Sequence, residues 1–305
     1  MNKIVISQEN DPYFNLALEE ELLRNAQPDE VTLYLWQNEK TVVIGRNQNP
    51  YIECDIEQIK QNGGHIARRI SGGGAVYHDL GNLNFTFVCK KSQEDLTKQI
   101  AVLQKAVERF GLQVERSGRN DLTCEGKKFS GHAFYEEDGN AFHHGTMMVD
   151  VDLSMLAKVL KPSKLKLESK GITSVKSRVV NLKELNDEIS ISSLSEALID
   201  SFKEIYGENS SLVKYNRQEK SPDLMKKYMD DRWIYGESPV YNASIEKKTS
   251  SGNIQAFFQV EHGLVKELKI YSDSISILDF REVENRFIGM NFNEVIEQDL
   301  LVHAL

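Results

Sequence analysis

The residue types capable of chemistry are densest in Arg68–Asp79, RRISGGGAVYHD, where two arginines, a serine, three consecutive glycines, a histidine and an aspartate fall within twelve residues. Gly72, Gly73 and Gly74 strip the side chains from a short loop and permit φ > 0, so successive N–H groups can converge on an anion. The spacing is not that of a P-loop, because no glycine stands five positions before a Gly-Lys-Ser/Thr. Nor is it a dinucleotide fingerprint, because Tyr77 takes the place of the third glycine. By spacing alone the run reads first as a turn, and the surrounding Arg68, Arg69, Ser71, His78 and Asp79 set the anion cradle beside that reading.

A second source of positive charge is Lys128 in GKKFSGHAF. An isolated lysine is ordinarily a solvated surface residue. If this segment is a strand, Lys127 and Lys128 point to opposite faces, so only one of them can face a site. Ser130 and Gly131 then begin a turn or mark a close backbone approach. Gly118–Asp121, GRND, is turn chemistry, with Asp121 open as a metal or ribose contact. His143 and His144 on a strand present one ring to each face, where a structural hydrogen bond is the ordinary role, and no carboxylate cluster nearby completes a metal site. Cys54, Cys89 and Cys124 form no CxxC pair and have no histidine at ligand spacing, which argues against zinc and a disulfide framework and leaves reduced structural thiols.

These residues need elements to hold them. Asp11 as N-cap, Pro12 at the first helical position and the apolar face of Leu16, Leu18, Leu22 and Leu23 predict a helix to about Arg24. Val31–Trp36 and Thr41–Gly45, separated by QNEK, read as a hairpin. Further strands are expected over His65–Arg69, Asn82–Val88, QVERS, Lys128–Phe134 and His143–Val149, with helices near Gln93–Phe110, Ser192–Tyr206 and Pro222–Met229. Short strands with helices inserted rather than strictly alternating predict an α+β fold on a mixed sheet. DRWIYGESP reads as a linker. From Ala243 onward, two strands and helices near Ser276–Phe287 and Phe292–Leu301 are enough for a small accessory domain.

The bounds from composition are those of an ordinary globular chain. Charged residues make up 27% of 305 residues, and no apolar run approaches bilayer length, which excludes a membrane-spanning role. The N-terminus lacks the pattern of a secretory signal, so the cytoplasm is the expected compartment. A net charge of −9 argues against a general nucleic-acid footprint. Lys161–Arg178, KPSKLKLESKGITSVKSR, is the most basic stretch of this acidic chain and reads as a solvated loop or as a local docking patch.

TVVIGRNQNP, ARRISGGGAVYHDLGN, SGRNDL, KKFSGHAF, FHHGTMMVDVDLS and KGITSVKSRVVNL together resemble blocks of the lipoate–protein ligase A family, in that family's order and spacing and over nearly the whole chain. The resemblance implies a mixed-sheet catalytic domain of the biotin/lipoate ligase type over 1–242 and a small C-terminal accessory domain over 243–305. It also implies a reaction in two halves. Lipoate and ATP give lipoyl-AMP and pyrophosphate, and the lipoyl group then passes to a lysine of a carrier, a lipoyl domain of a 2-oxoacid dehydrogenase complex or the glycine-cleavage H protein.

Carried over by position, Arg69, Gly74, Ala75, Val76, Tyr77, Asp121 and Lys128 are implied contacts of ATP. Trp36, Arg46, Arg69, Gly73, Gly74, His78 and Lys128 are implied contacts of lipoate. Lys128 is the implied catalytic residue, an electrostatic clamp on two anions that must meet. Mg²⁺ is the implied counterion of the triphosphate, with Asp121 its candidate ligand. Lys164–Asn181 falls where the family has a loop closing over the adenylate. His132 departs from the pattern, which leads one to expect a small residue after Ser130-Gly131.

Two other readings stay open. An octanoyl or lipoyl transferase of the same fold acts through a cysteine nucleophile, for which Cys124 is the nearest residue. A lipoate- or nucleotide-binding protein without turnover keeps the pocket only.

Overall fold

The computed structural model describes all residues except 118–120, 162–178, 221, 237–242, 250–251, 276–278 and 298–305. Its centre is an eight-stranded mixed sheet. The strands are β1 (Lys3–Ser7), β2 (Thr32–Trp36), β6 (Asn82–Lys90), β7 (Glu115–Ser117), β8 (Asp121–Cys124), β9 (Lys127–Glu137), β10 (Asn140–Met148) and β11 (Ser211–Tyr215), in the order β11-β1-β2-β6-β10-β9-β8-β7. The β11-β1-β2 pairs are parallel and the rest antiparallel. A three-stranded sheet of β3 (Thr41–Ile44), β4 (His65–Arg68) and β5 (Val76–His78), with β3 central, lies over the pocket side. The fold is therefore α+β with a mixed sheet.

The predicted hairpin between Val31–Trp36 and Thr41–Gly45 does not form. β2 pairs with β1 and β6, while β3 pairs with β4 and β5 in the other sheet. The reason lies in the connection: Asn38 is buried, tied to Asn15 and His78, and Lys40 takes φ 39°, so the chain crosses between layers instead of folding back. Asp121 opens β8 rather than ending a turn, and Ser130 and Gly131 lie inside β9.

Helices Leu96–Glu108 and Ile191–Tyr206 cover one face of the large sheet, burying Leu33, Leu35, Leu83, Phe85 and Phe87. Helix Pro12–Arg24 lies on the other face against Tyr34, Trp36, Val88 and Phe142, and its start follows the expected cap: Asp11 accepts from the N–H groups of Tyr13 and Phe14. Part of the expected linker is structure: Asp231–Tyr235 is helical, and Arg68 donates to the carbonyls of Trp233 and Ile234. No helix among the described residues is long and apolar enough to cross a membrane.

The C-terminal part is a three-stranded antiparallel sheet, β12 (Ala243–Lys248), β13 (Asn253–Glu261) and β14 (Leu264–Ser272), with helices Arg281–Phe287 and Phe292–Glu297. Its core, running from Ile254 to Val295, is separate from the others. Of the expected helix near Ser276–Phe287, residues 276–278 lie outside the described residues, as does the end of the Phe292–Leu301 helix.

Candidate active site

Cross-strand partners on a sheet present their side chains to the same face. Trp36 on β2 stands opposite Asn84 on β6, Asn84 opposite Thr146 on β10, Thr146 opposite Gly131 on β9, and Gly131 opposite Asp121 on β8. This row of one residue per strand is the floor of a cavity of about 280 Å³. Its roof and walls come from Leu16, Val43, Arg69, Gly73, Gly74, Ala75, Val76 and His78, with Asp273 and Ile275 of the C-terminal part at one side.

Lys128 stands at one end, its Nζ 2.8 Å from Asp121 Oδ1, both partly exposed. A Cβ on Gly131 would come within 2.7 Å of that ammonium, so the glycine is what makes room for the lysine. Lys127 is exposed, as the alternation of a strand requires. Beyond the Lys161–Arg178 stretch in sequence, the N–H of Val180 donates to the Lys128 carbonyl. Residues 162–178, which hold most of the basic stretch and of the expected closing loop, lie outside the described residues.

The glycine loop is held from beneath by Arg69, whose guanidinium donates to the carbonyls of Val43, Gly72 and Gly74 and to Ser71 Oγ. Burial lowers its pKa to about 10, which leaves it cationic at neutral pH. Gly73 takes φ 93°, open to glycine at little cost, and its N–H donates to the Ser274 carbonyl. A Cβ on Gly72 would stand 2.3 Å from the Ser274 carbonyl oxygen. Arg68 does not reach the cavity; it is buried and donates to the carbonyls of Gly45, Arg46 and Gln48.

Of the expected contacts, Trp36, Arg69, Gly73, Gly74, Ala75, Val76, His78, Asp121 and Lys128 line the cavity. Arg46 and Tyr77 do not. The Arg46 guanidinium is exposed and lies over the Trp233 ring at 4.7 Å, and Tyr77 packs into the small sheet's core.

A buried polar chain runs from the Trp36 end of the site to the glycine loop. Trp36 Nε1 donates to Thr86 Oγ1 (3.0 Å), Thr86 donates to Glu19 Oε1 (2.6 Å), and His144 Nδ1 donates to the same oxygen (2.8 Å). His144 Nε2 then shares a 2.8 Å bond with Ser71 Oγ, which accepts from Arg69. His143, on the opposite face, bonds Gln99 and His132. His132 borders the cavity, but its ring is committed to Ser130 Oγ and His143 and packs edge-on against Phe85. Burial, with the charges of Lys128 and Arg116, pushes its pKa down to about 3, so it is a neutral ring.

Asn84, Thr146, Glu19 and Gly145 escaped the sequence reading. The signal for Asn84 was present in NLNFTFV, whose alternation marks one polar face, but that face is buried against the site instead of facing water.

Cys124 is buried in the core, and burial, with Glu125 and Glu115 nearby, pushes its thiol up to about 11. The arrangement offers positive charge and N–H donors to an anion, not an activated thiol.

Residues 11–203 match a family model described as the lipoyl protein ligase A/B catalytic domain, and residues 238–300 one described as the bacterial lipoate protein ligase C-terminus. The chain is similar to a Lipoate-protein ligase A of Psychrobacter cryohalolentis, 39% identical over 285 residues that make up 90% of this chain and 84% of the relative. Among solved structures it is similar to P. falciparum LipL1 in complex with lipoate, with a TM-score of 0.80 and 30% identity over 97% of this chain and 93% of that one. It is also similar to a lipoate-protein ligase A bound with ATP (TM-score 0.65, 29% identity, 77% and 99% covered). A bipartite ligase from Thermoplasma acidophilum, solved in a study with its E2 lipoyl domain, matches at a TM-score of 0.67 and 29% identity over 77% of this chain and 96% of that one.

Proposed function

Because the chain belongs to the lipoate–protein ligase A family and is a ligase, we propose that it joins lipoate to ATP as lipoyl-AMP and then passes the lipoyl group to a lysine of a carrier domain. The observation that carries this reading is the Lys128 ammonium, seated over Gly131 at one end of the row that runs to Trp36.

In the first half-reaction a lipoate carboxylate oxygen bonds to the α-phosphorus, and the bond to the pyrophosphate oxygen breaks. Two anions must approach, so the barrier falls through fixed positive charge and aimed N–H groups, not through a protein nucleophile. Lys128 supplies charge where the carboxylate and α-phosphate meet. Arg69 holds the carbonyls of the glycine loop inward, which leaves the loop at Gly74, Ala75 and Val76 to face the nucleotide. In the second half-reaction the carrier's lysine nitrogen, having lost a proton, attacks the acyl carbon, and AMP leaves with the bonding electron pair.

Mg²⁺, when bound with the nucleotide, would shield the triphosphate; one carboxylate, Asp121, with phosphate oxygens and water suits its coordination habit. Asp121 is also the partner that steadies Lys128.

The decisive measurement is lipoate-dependent exchange of labelled pyrophosphate into ATP. Exchange is expected; its absence in protein that still lipoylates a carrier would falsify adenylation. The transferase alternative needs a thioester on a cysteine, and the buried, protonated Cys124 does not favour it.

The carrier class, a lipoyl domain of a 2-oxoacid dehydrogenase complex or the glycine-cleavage H protein, draws support from the Thermoplasma ligase and its E2 lipoyl domain. Lys161–Arg178 is the stretch whose charge suits an acidic carrier. We place the division between catalytic and accessory domains at 242/243, a reading supported by the separate core from Ile254 to Val295.

A further inference from the structure

Two side chains in the cavity end on N–H groups that no described residue accepts from. His78 is 3% exposed and Asn84 1%, yet His78 Nε2 and Asn84 Nδ2 have no hydrogen-bond partner among the described residues. Their orientations are set by their neighbours. Asn15 Nδ2 donates to Asn38 Oδ1 (3.0 Å), which leaves Asn38 Nδ2 to donate to His78 Nδ1 (3.2 Å), so the proton of the neutral imidazole sits on Nε2. Asn82 Nδ2 donates to Asn84 Oδ1 (2.9 Å), so Asn84 turns its Nδ2 to the site.

Both groups flank Trp36. Asn84 is its cross-strand partner, and the His78 ring meets the indole edge-on at 6.1 Å between centroids. Gly131, beside the Lys128 ammonium, is two strands away from Asn84 along the same row, about 10 Å at the spacing of hydrogen-bonded strands. An acyl chain whose carboxyl lies at Lys128 therefore brings its distal end to Asn84, His78 and Trp36. A purely hydrocarbon tail would leave two buried donors unpaired, which is costly, and a pocket built for one is lined there by apolar groups. A ring sulfur is a weak acceptor that also makes favourable contact with an aromatic face.

We propose that Asn84 and His78 read the distal end of the acyl chain, donating from Nδ2 and Nε2 to the dithiolane sulfurs. The protein then distinguishes a lipoyl chain from a saturated acyl chain by hydrogen-bond acceptance as well as by shape. The proposal rests on the acyl-binding part of the function proposed above and not on its use of ATP.

The test is equilibrium binding of three acids to the full chain without nucleotide: lipoate, octanoate and 5-cyclopentylpentanoate, which keeps the ring outline but replaces both sulfurs by methylenes. Lipoate is expected to bind about tenfold more tightly than the carbocycle, the scale of one net hydrogen bond or somewhat more. In Asn84→Leu the lipoate advantage is expected to shrink toward one while the carbocycle binds at least as well as before. Equal binding of lipoate and carbocycle by the unaltered protein overturns the proposal, whatever the variant does, because water then satisfies the donors and shape alone is read. An unchanged lipoate-to-carbocycle ratio in Asn84→Leu overturns the part assigned to Asn84. Discrimination without pyrophosphate exchange would remove the ATP reading and leave this one standing; exchange with equal binding would do the reverse.

Discussion

Adjacent lysines on a strand serve different ends because successive side chains leave opposite faces. Lys128 borders the cavity, and Lys127 is exposed. Lys128→Ala is expected to lower carrier lipoylation on the order of 10²–10³-fold, the scale found when a donor of transition-state charge is removed. Lys127→Ala is expected to stay near the unaltered rate. Initial rates of both variants check this, and a reversed order would move the clamp to Lys127. The role proposed for Lys128 was legible in KKFSGHAF only through its resemblance to a family block. Its physical cause, the missing side chain at Gly131, appears once the strand is seen beneath the lysine. His132, the departure from the family pattern, proves to be a neutral ring bonded to His143 and Ser130, which side-chain type alone did not reveal.

At the scale of the element, β6 and β10 carry polar residues on a face that is largely covered by other elements. Thr86, His144 and Asn84 are buried beneath helix Pro12–Arg24 and the small sheet, and their partners Glu19 and Asn82 come from elsewhere on the same face. Alternation in a sequence marks two faces but does not say what covers them, so a half-solvated strand and a strand under a polar site read alike. The hairpin expectation failed for a related reason: β2 and β3 are each buried throughout, and local pairing lost to partners far along the chain.

Two buried histidines, His78 on β5 and His143 on β10, couple folding to pH. Burial, and then the charge of Arg69, pushes the His78 pKa down to about 3, and burial holds that of His143 well below 6.5. In the unfolded chain both take protons near 6.5, so the unfolded state binds more protons below that value. Their stabilisation is present above pH 6.5 and is lost as pH falls, by about 2 kcal/mol for His78 at pH 5. Urea midpoints are expected to drop between pH 7 and pH 5, with a smaller drop in His143→Gln. A flat profile over that range would show that the rings charge in place.

At the scale of the whole molecule, the C-terminal part touches the catalytic part at the glycine loop. The Gly73 N–H donates to Ser274, Ser272 N–H donates to the Asn47 carbonyl, and Gly72 has no room for a methyl group beside the carbonyls of Ser274 and Ile275. Because those atoms are backbone, no side-chain rotation relieves the clash. Gly72→Ala is expected to part the two units while each stays folded, seen as a larger radius of gyration in small-angle scattering with an unchanged circular dichroism spectrum. Superimposable scattering curves would show that the contact does not set the arrangement. Nothing in GGG announced this partner, since the contact joins residues some 200 positions apart.

The row from Trp36 to Asp121 makes the cavity floor a ruler graduated in strands. Its divisions are fixed at about 4.8 Å by backbone hydrogen bonds and are indifferent to which side chains stand on them. A change of residue can block or clear a division but cannot move it, so under the proposed function the lengths of acyl chain this floor accommodates are set in steps of several methylenes rather than one by one.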